Sequence, residues 1–225
     1  VNIIPRKYEG ETVVVVATGP SLTQQQADYI GEARRLSKCK VLTINNSFLL
    51  CPFADIHVAC NDNWWDYYWN HPMLSAMRAE KWTRYKHQAE KYNINYIDSV
   101  DEPGLSKNQN LVHINKGSGP MAINFATLYG FSKIILVGHD MSFAEDYNGN
   151  TKNPGSTPRH FFGEYPEVMQ HFPRSTQSIA PDGTIIGLIQ AYSGMIDDLS
   201  DLDVVNCTPG SRLPSFRLSP LETEL

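Results

Sequence analysis

Several common functions leave a residue pattern that this sequence does not carry. Its four cysteines, Cys39, Cys51, Cys60 and Cys207, form no Cys-x-x-Cys pair and share no metal-ligand spacing with a histidine. That excludes a zinc ribbon or a thioredoxin-type redox motif. Isolated thiols in or beside apolar runs read instead as reduced core residues, the usage of a cytosolic protein. No apolar run approaches the roughly 20 residues that a membrane-spanning helix needs. The opening stretch VNIIPRKYEG lacks the pattern of a secretory leader. Basic residues are outnumbered: 19 Lys and Arg stand against 24 Asp and Glu, for a net charge of −5. A non-specific grip on a phosphodiester backbone needs the opposite balance. Internal repeats and low-complexity segments are missing as well, which argues against a solenoid or a disordered chain.

What is present is a series of apolar runs at regular spacing. Residues 12–17 (TVVVVA) read as a buried strand. Residues 24–37 follow with Ala27, Ile30, Ala33 and Leu36 on one helical stripe. Strands are expected at 40–44, 54–59, 95–97 and 111–114, and an aromatic-rich helix at 61–79. The clearest unit is a turn at 117–119, a helix at 121–129, a stop at Gly130 and a strand at 133–137. A helix at 183–199 and a strand at 204–207 complete the pattern. Helices alternating with strands predict an α/β fold, a Rossmann-like doubly wound, mostly parallel sheet. We expect one domain over residues 1–212, a long polar lid at about 141–183 and a C-terminal tail at 213–225 that docks on a neighbouring subunit or frays. Oligomeric state is left open, a homo-oligomer included.

In a doubly wound sheet, ligands gather at the carboxyl ends of the strands. Here those ends are polar. They read Thr18-Gly19-Pro20-Ser21, Asn45-Asn46-Ser47, Asn61-Asp62-Asn63, Lys116-Gly117-Ser118-Gly119 ahead of the central helix, and Gly138-His139-Asp140. Any one of these clusters could merely close a turn or cap a helix. Asn, however, both donates and accepts, which suits ribose hydroxyls and base edges. Ser118 and Gly119 at a helix start offer a phosphate backbone N–H groups. Gly19 would admit a ligand where a Cβ would clash. The set reads as a nucleotide site without a P-loop lysine and with few carboxylates, so it includes no metal site.

GPSL, INN, an Asn after the third strand and GSGPMAINFATLYGFSKIILVGHDMSF occur in an order that resembles the family 42 bacterial sialyltransferases. It also resembles the related archaeal-type 6-hydroxymethylpterin diphosphokinases, a superfamily with relatives in phage genomes. The resemblance spans roughly residues 12–210. It implies a single nucleotide-binding domain with a lid, a phage-type member and, with that, a place in the host cytoplasm. The family's nucleotide contacts fall on Asn45, Asn61, Ser118 and Gly119, and its Gly-x-Asp carboxylate on Asp140. Two departures stand out. Thr18 occupies the place of an Asn ahead of Gly-Pro-Ser-Leu, and the family's short His-Ser element has no clean copy. Specificity for sialic acid is therefore not carried over.

The expected function is a nucleotide-sugar glycosyltransferase with a CMP- or UDP-type donor and a small-molecule or carbohydrate acceptor. His160 or His171 in the lid would be the general base, with Asp140 beside them. The nucleotide would lie across Thr18, Gly19, Pro20, Ser21, Asn45, Asn46, Asn61, Asp62, Ser118 and Gly119. Lys116, Arg159 or Arg174 would neutralise the leaving phosphate. Trp64, Trp65, Tyr68 and Trp69 would either stack on a sugar or base or form one buried aromatic face. A second reading is a Mg-ATP-dependent diphosphokinase, with Asp62, Asp140 and Asp146 as the available metal ligands. A third is a nucleotide-binding module without chemistry. Arg78, Lys81, Arg84, Lys86 and Lys91 give slight support to a modified DNA base as acceptor, and read more simply as a solvated helix face.

Overall fold

The computed structural model describes residues 1–141, 160–163, 165–169 and 184–225. Its centre is a run of valines. In Thr12–Val16 (β1), Val13 and Val15 enter the core on one face of the sheet, and Val14 and Val16 the core on the other. All four are fully buried. A strand covered on both faces shows no polar alternation, hence the unbroken apolar run. From β1 the sheet grows outwards through Lys40–Ile44 (β2), Ile56–Val58 (β3), Glu80–Thr83 (β4) and Asn95–Tyr96 (β5), every pair parallel. Asp98–Val100 (β6) and Leu111–His113 (β7) pair with each other in a separate two-stranded sheet. The chain then returns to lay Lys133–Val137 (β8) along the free edge of β1, followed outwards by Asp203–Asn206 (β9) and Arg217–Leu218 (β10). The order is β10-β9-β8-β1-β2-β3-β4-β5. The fold is a doubly wound α/β sheet, and its direction reverses between β1 and β8.

Helices cover both faces. Gln24–Arg35 (α1) buries Ala27, Ile30 and Ala33 against Val14 and Val16. A capping box fixes its start: Thr23 Oγ1 accepts from the Gln26 amide at 3.3 Å, and Gln26 Oε1 accepts from the Thr23 amide at 3.0 Å. Trp64–Tyr68 (α2) and Pro72–Ala76 (α3) lie on the same face. Lys86–Tyr92 (α4) follows β4. Ser118–Tyr129 (α5) is buried nearly all round and packs on the opposite face with Tyr192 of Thr184–Ser193 (α6). Leu221–Glu224 (α7) closes the β9 side.

Some expectations need correction. Leu36 is exposed because α1 ends at Arg35. The helix expected at 61–79 is two short helices, broken where His71 caps α3 and Pro72 begins it. The basic residues between 78 and 91 share no helix face. Lys81 lies in β4, Arg84 donates to the Cys60 carbonyl, and Lys91 pairs with Asp66. Residues 213–225 do not stand apart: β10 extends the sheet and Leu213 and Leu221 are buried. All four cysteines are free and buried. No helix among the described residues is long and apolar enough to cross a membrane.

Candidate functional site

The carboxyl ends of β1, β2 and β8 and the amino end of α5 enclose a cleft of about 260 Å³. This is the reversal point of the sheet, where crossovers diverge and leave a crevice. A larger hollow of about 410 Å³ lies at the amino ends of the strands. Its acids are spent internally, Asp55 on Arg34 and Glu80 on Tyr129, and of the residues singled out above it gathers Arg78 alone, none of the strand-end clusters.

Tight backbone approach builds the cleft. A Cβ on Gly19 would lie 1.8 Å from Asp140 Oδ2 and 2.4 Å from the Gly138 carbonyl. The glycine therefore serves the contact between the β1 and β8 loops, not room for a ligand. Gly119 is likewise pressed against the Tyr192 hydroxyl, 1.9 Å from where a Cβ would sit. Three residues lining the cleft are non-glycine residues held at positive φ: Asn45 at 48°, Lys116 at 66° and Met141 at 50°. Asn adopts this region readily, but Lys and Met do so at a cost of about 1–2 kcal/mol each. Such strain gathers at functional sites.

Adjacent asparagines have opposite roles. Asn45 joins three elements: Oδ1 accepts from the Cys60 amide at 3.3 Å and Nδ2 donates to Ser118 Oγ at 3.4 Å. Asn46 is buried, and its amide is consumed by the aromatic core. Its Oδ1 accepts from Trp64 Nε1 at 2.8 Å and its Nδ2 donates to the Tyr68 hydroxyl at 2.7 Å. Asn46 therefore supports α2 and does not face the cleft. Trp64 and Trp65 are fully buried as well, which removes them as stacking surfaces for a ligand.

His139 is also structural. It is fully buried, with Nε2 3.3 Å from the Val15 carbonyl and Nδ1 2.7 Å from the Tyr192 hydroxyl. A carbonyl only accepts, so Nε2 carries the proton and Nδ1 accepts from Tyr192. Burial depresses its pKa to about 4, so the ring is neutral near pH 7.

Asp140 is 7% exposed. Its Oδ1 accepts from the Ser21 amide at 3.0 Å, while Oδ2 has no hydrogen-bond partner among the described residues. Burial raises its pKa, partly offset by hydrogen bonds from Ser21. Near and above the ordinary carboxylate pKa, the folded chain thus holds a proton that the unfolded chain releases. This contribution to stability is complete below the unfolded pKa and is lost as pH rises through the folded one. Asp140→Asn keeps an acceptor for the Ser21 amide and removes that loss. In thermal melts it is expected to raise Tm at pH 7, with the gain shrinking towards pH 4. A gain independent of pH would overturn this account.

The described part of residues 160–169 reaches back over the cleft. His160 Nδ1 lies 3.0 Å from Thr18 Oγ1, and the Phe161 amide donates to the Thr18 carbonyl at 3.2 Å. The imidazole stacks on Phe162 at 4.9 Å, with Tyr165 edge-on at 5.1 Å.

The cleft brings together Thr18, Gly19, Pro20, Asn45, Lys116, Ser118, Gly119, Asp140 and His160. Ser21 stands just behind, on Asp140. Asn61 and Asp62 do not line it: the Asn61 carbonyl accepts from the Trp64 amide, and Asp62 pairs with His87 at 2.7 Å. Asp146, Arg159, His171 and Arg174 lie outside the described residues. Sequence reasoning missed Tyr192 and Leu188 of α6, which wall the cleft against Gly119 and Gly117. The glycines at 117 and 119 were the only sign of them.

The structure resembles that of the sialyltransferase CstII from Campylobacter jejuni, solved in complex with a substrate analogue, cytidine-5'-monophosphate. The fold is sialyltransferase-like. The TM-score is 0.53 at 13% sequence identity, and the match spans 94% of this chain and 86% of that one. At that identity the likeness is one of architecture. The chain matches no family model and no curated sequence.

Proposed function

We propose that the chain is a glycosyltransferase drawing on a nucleotide-sugar donor, with a CMP-type donor favoured. The observation that carries this reading is the cleft itself. At one reversal point it combines a helix amino end, a bridging Asn, a lysine whose ammonium has no ion-pair partner among the described residues, and a histidine. The sialyltransferase-like fold supports it, as does the cytidine nucleotide bound to CstII.

Each part has a task in this reading. The first amides of α5, at Ser118 and Gly119, have no partner within their helix and attract phosphate. Asn45 would meet the ribose or base. Lys116, exposed at the rim, would neutralise the phosphate as it departs. His160 would take the proton of an acceptor hydroxyl. Imidazole is the side chain that titrates closest to neutrality. In that step the acceptor oxygen bonds to the anomeric carbon of the sugar. The bond from that carbon to the phosphate oxygen breaks, and its electron pair leaves with the nucleotide. The cleft is smaller than the roughly 300–1,000 Å³ of most small-molecule sites. A donor would therefore fill it and extend towards residues 160–169.

Among the described residues, Asp140 is the one carboxylate that lines the cleft, and no group of three or more His, Cys, Asp and Glu is placed to hold a metal ion. The diphosphokinase reading would need more acid at this point. Thermal melts with CMP, UDP, CMP- and UDP-sugars, and ATP with and without Mg²⁺, test the choice. At a hundred times its dissociation constant a ligand stabilises by about 2.7 kcal/mol. Stabilisation by CMP without metal, followed by acceptor-dependent CMP release from a CMP-sugar, is the expected result. A shift with Mg-ATP alone would replace this reading with the diphosphokinase, and binding without turnover would leave a nucleotide-binding module.

A further inference from the structure

We propose that the hollow at the amino ends of the strands is a second binding site, and that it takes a small organic carboxylate with an apolar body. It lies at the end of the sheet opposite the cleft, so it stands whether or not the chain transfers a sugar.

The hollow has the size and the firm walls of a site. Its volume of about 410 Å³ falls within the roughly 300–1,000 Å³ of most small-molecule sites. Two aromatic rings line it and are already held in place. Phe53 lies against Gly31 of α1, where a Cβ would sit 3.1 Å from its ring. The Tyr8 ring stacks on Phe131 at 4.9 Å, and the Tyr8 amide donates to the Tyr129 carbonyl at 3.1 Å. Rings fixed in advance need little ordering when a ligand arrives.

The charged part of the lining is paired except at one point. Asp55 accepts from Arg34 Nε at 3.0 Å, Arg34 Nη2 at 2.8 Å and the Val41 amide at 2.9 Å. Glu80 takes Lys7 and the Tyr129 hydroxyl. Lys40, over the Tyr8 ring at 5.3 Å, pairs with Glu11 at 3.6 Å. Arg78 is left over. It is exposed, lines the hollow, and its guanidinium has no carboxylate or hydrogen-bond partner among the described residues. The Tyr8 hydroxyl has no hydrogen-bond partner there either. A guanidinium and a phenol are thus the open donors.

This charge pattern selects the ligand. One uncompensated guanidinium calls for a single negative charge, and its planar fork matches the two oxygens of a carboxylate. A phosphate monoester carries close to two charges near pH 7. The second would fall beside Asp55 and Glu80, where like charges repel. Phe53 and Tyr8 suit a planar apolar body behind the carboxylate.

Benzoate is the probe. It is expected to raise the Tm of the unaltered protein and to give intermolecular NOEs between its ring and Phe53. Arg78→Gln should weaken benzoate binding about tenfold or more, and Tyr8→Phe, which keeps the ring, about threefold. Lys116→Gln, in the cleft, should leave it unchanged. Absence of NOEs to Phe53 would overturn the proposal, as would undiminished binding by Arg78→Gln. Loss of binding in Lys116→Gln instead would put benzoate in the cleft and overturn it equally. Phenyl phosphate binding more tightly than benzoate would overturn the choice of a carboxylate.

Discussion

Replacing His160 with glutamine is expected to slow glycosyl transfer by about 10²- to 10⁴-fold, the usual contribution of a positioned general base. Glutamine keeps most of the volume and can still hydrogen-bond Thr18, but it cannot take a proton. The loss should therefore fall on kcat. Nucleotide binding should persist, because Asn45, Lys116 and the start of α5 lie on separate elements of the cleft. Initial rates with a CMP-sugar and its acceptor, alongside melts with CMP, measure both halves. The two other histidines near the sheet ends are poor substitutes. His139 has both ring nitrogens engaged inside the core. His57 is fully buried among Phe48, Trp64 and Trp65, and burial depresses its pKa to about 3. If His160→Gln is as fast as the unaltered protein, His171 becomes the candidate base.

The architecture was legible where burial is two-sided and local. The valines of β1, the KIILV of β8 and the stripe of α1 carry their environment in their own composition. β4 was not legible, because it opens with Glu80 and Lys81. Glu80 accepts from Tyr129 at 2.7 Å, and Lys81 Nζ donates to the Met77 carbonyl at 2.6 Å. Only a folded neighbourhood can satisfy those charges within a strand. The pairing of β6 with β7 is equally remote from sequence, since neither strand has a strong apolar run. At the site, residue types at strand ends pointed to the cleft, but not to which side chains face it. Asn45 and Asn46 have the same chemistry and opposite destinations, decided by the 3₁₀ turn that follows β2. Trp64 and Tyr68, four apart on α2, gave a clue, since a buried indole N–H and a buried phenol each need a partner. At Gly19 the close approach expected of a ligand is made by the protein itself, through Asp140 and Gly138.

Deleting residues 213–225 is expected to destabilise the domain by about 4 kcal/mol or more. Leu213 enters the core on one face of the sheet at 1% exposure, and Leu221 the core on the other at 3%. Burying each is worth about 1.5–3 kcal/mol. Polar contacts add to this. Glu224 takes Arg217 Nη1 at 2.5 Å and Lys133 Nζ at 2.8 Å, and these partners hold its carboxyl well below the usual carboxylate range. Arg217 also pairs with Asp203 of β9 at 3.0 Å. Removing β10 turns β9 into an open edge with unpaired backbone groups. For a domain of this size, 1 kcal/mol corresponds to about 2–4 °C, so Tm should fall by about 10 °C. Cys207 gives an independent readout. It is 3% exposed, and burial pushes its thiol up to about 12. In the truncated chain it should become alkylatable near neutral pH. Unchanged melting and an unreactive Cys207 would mean that residues 213–225 contribute nothing to the fold and that the β9 edge is stable without them.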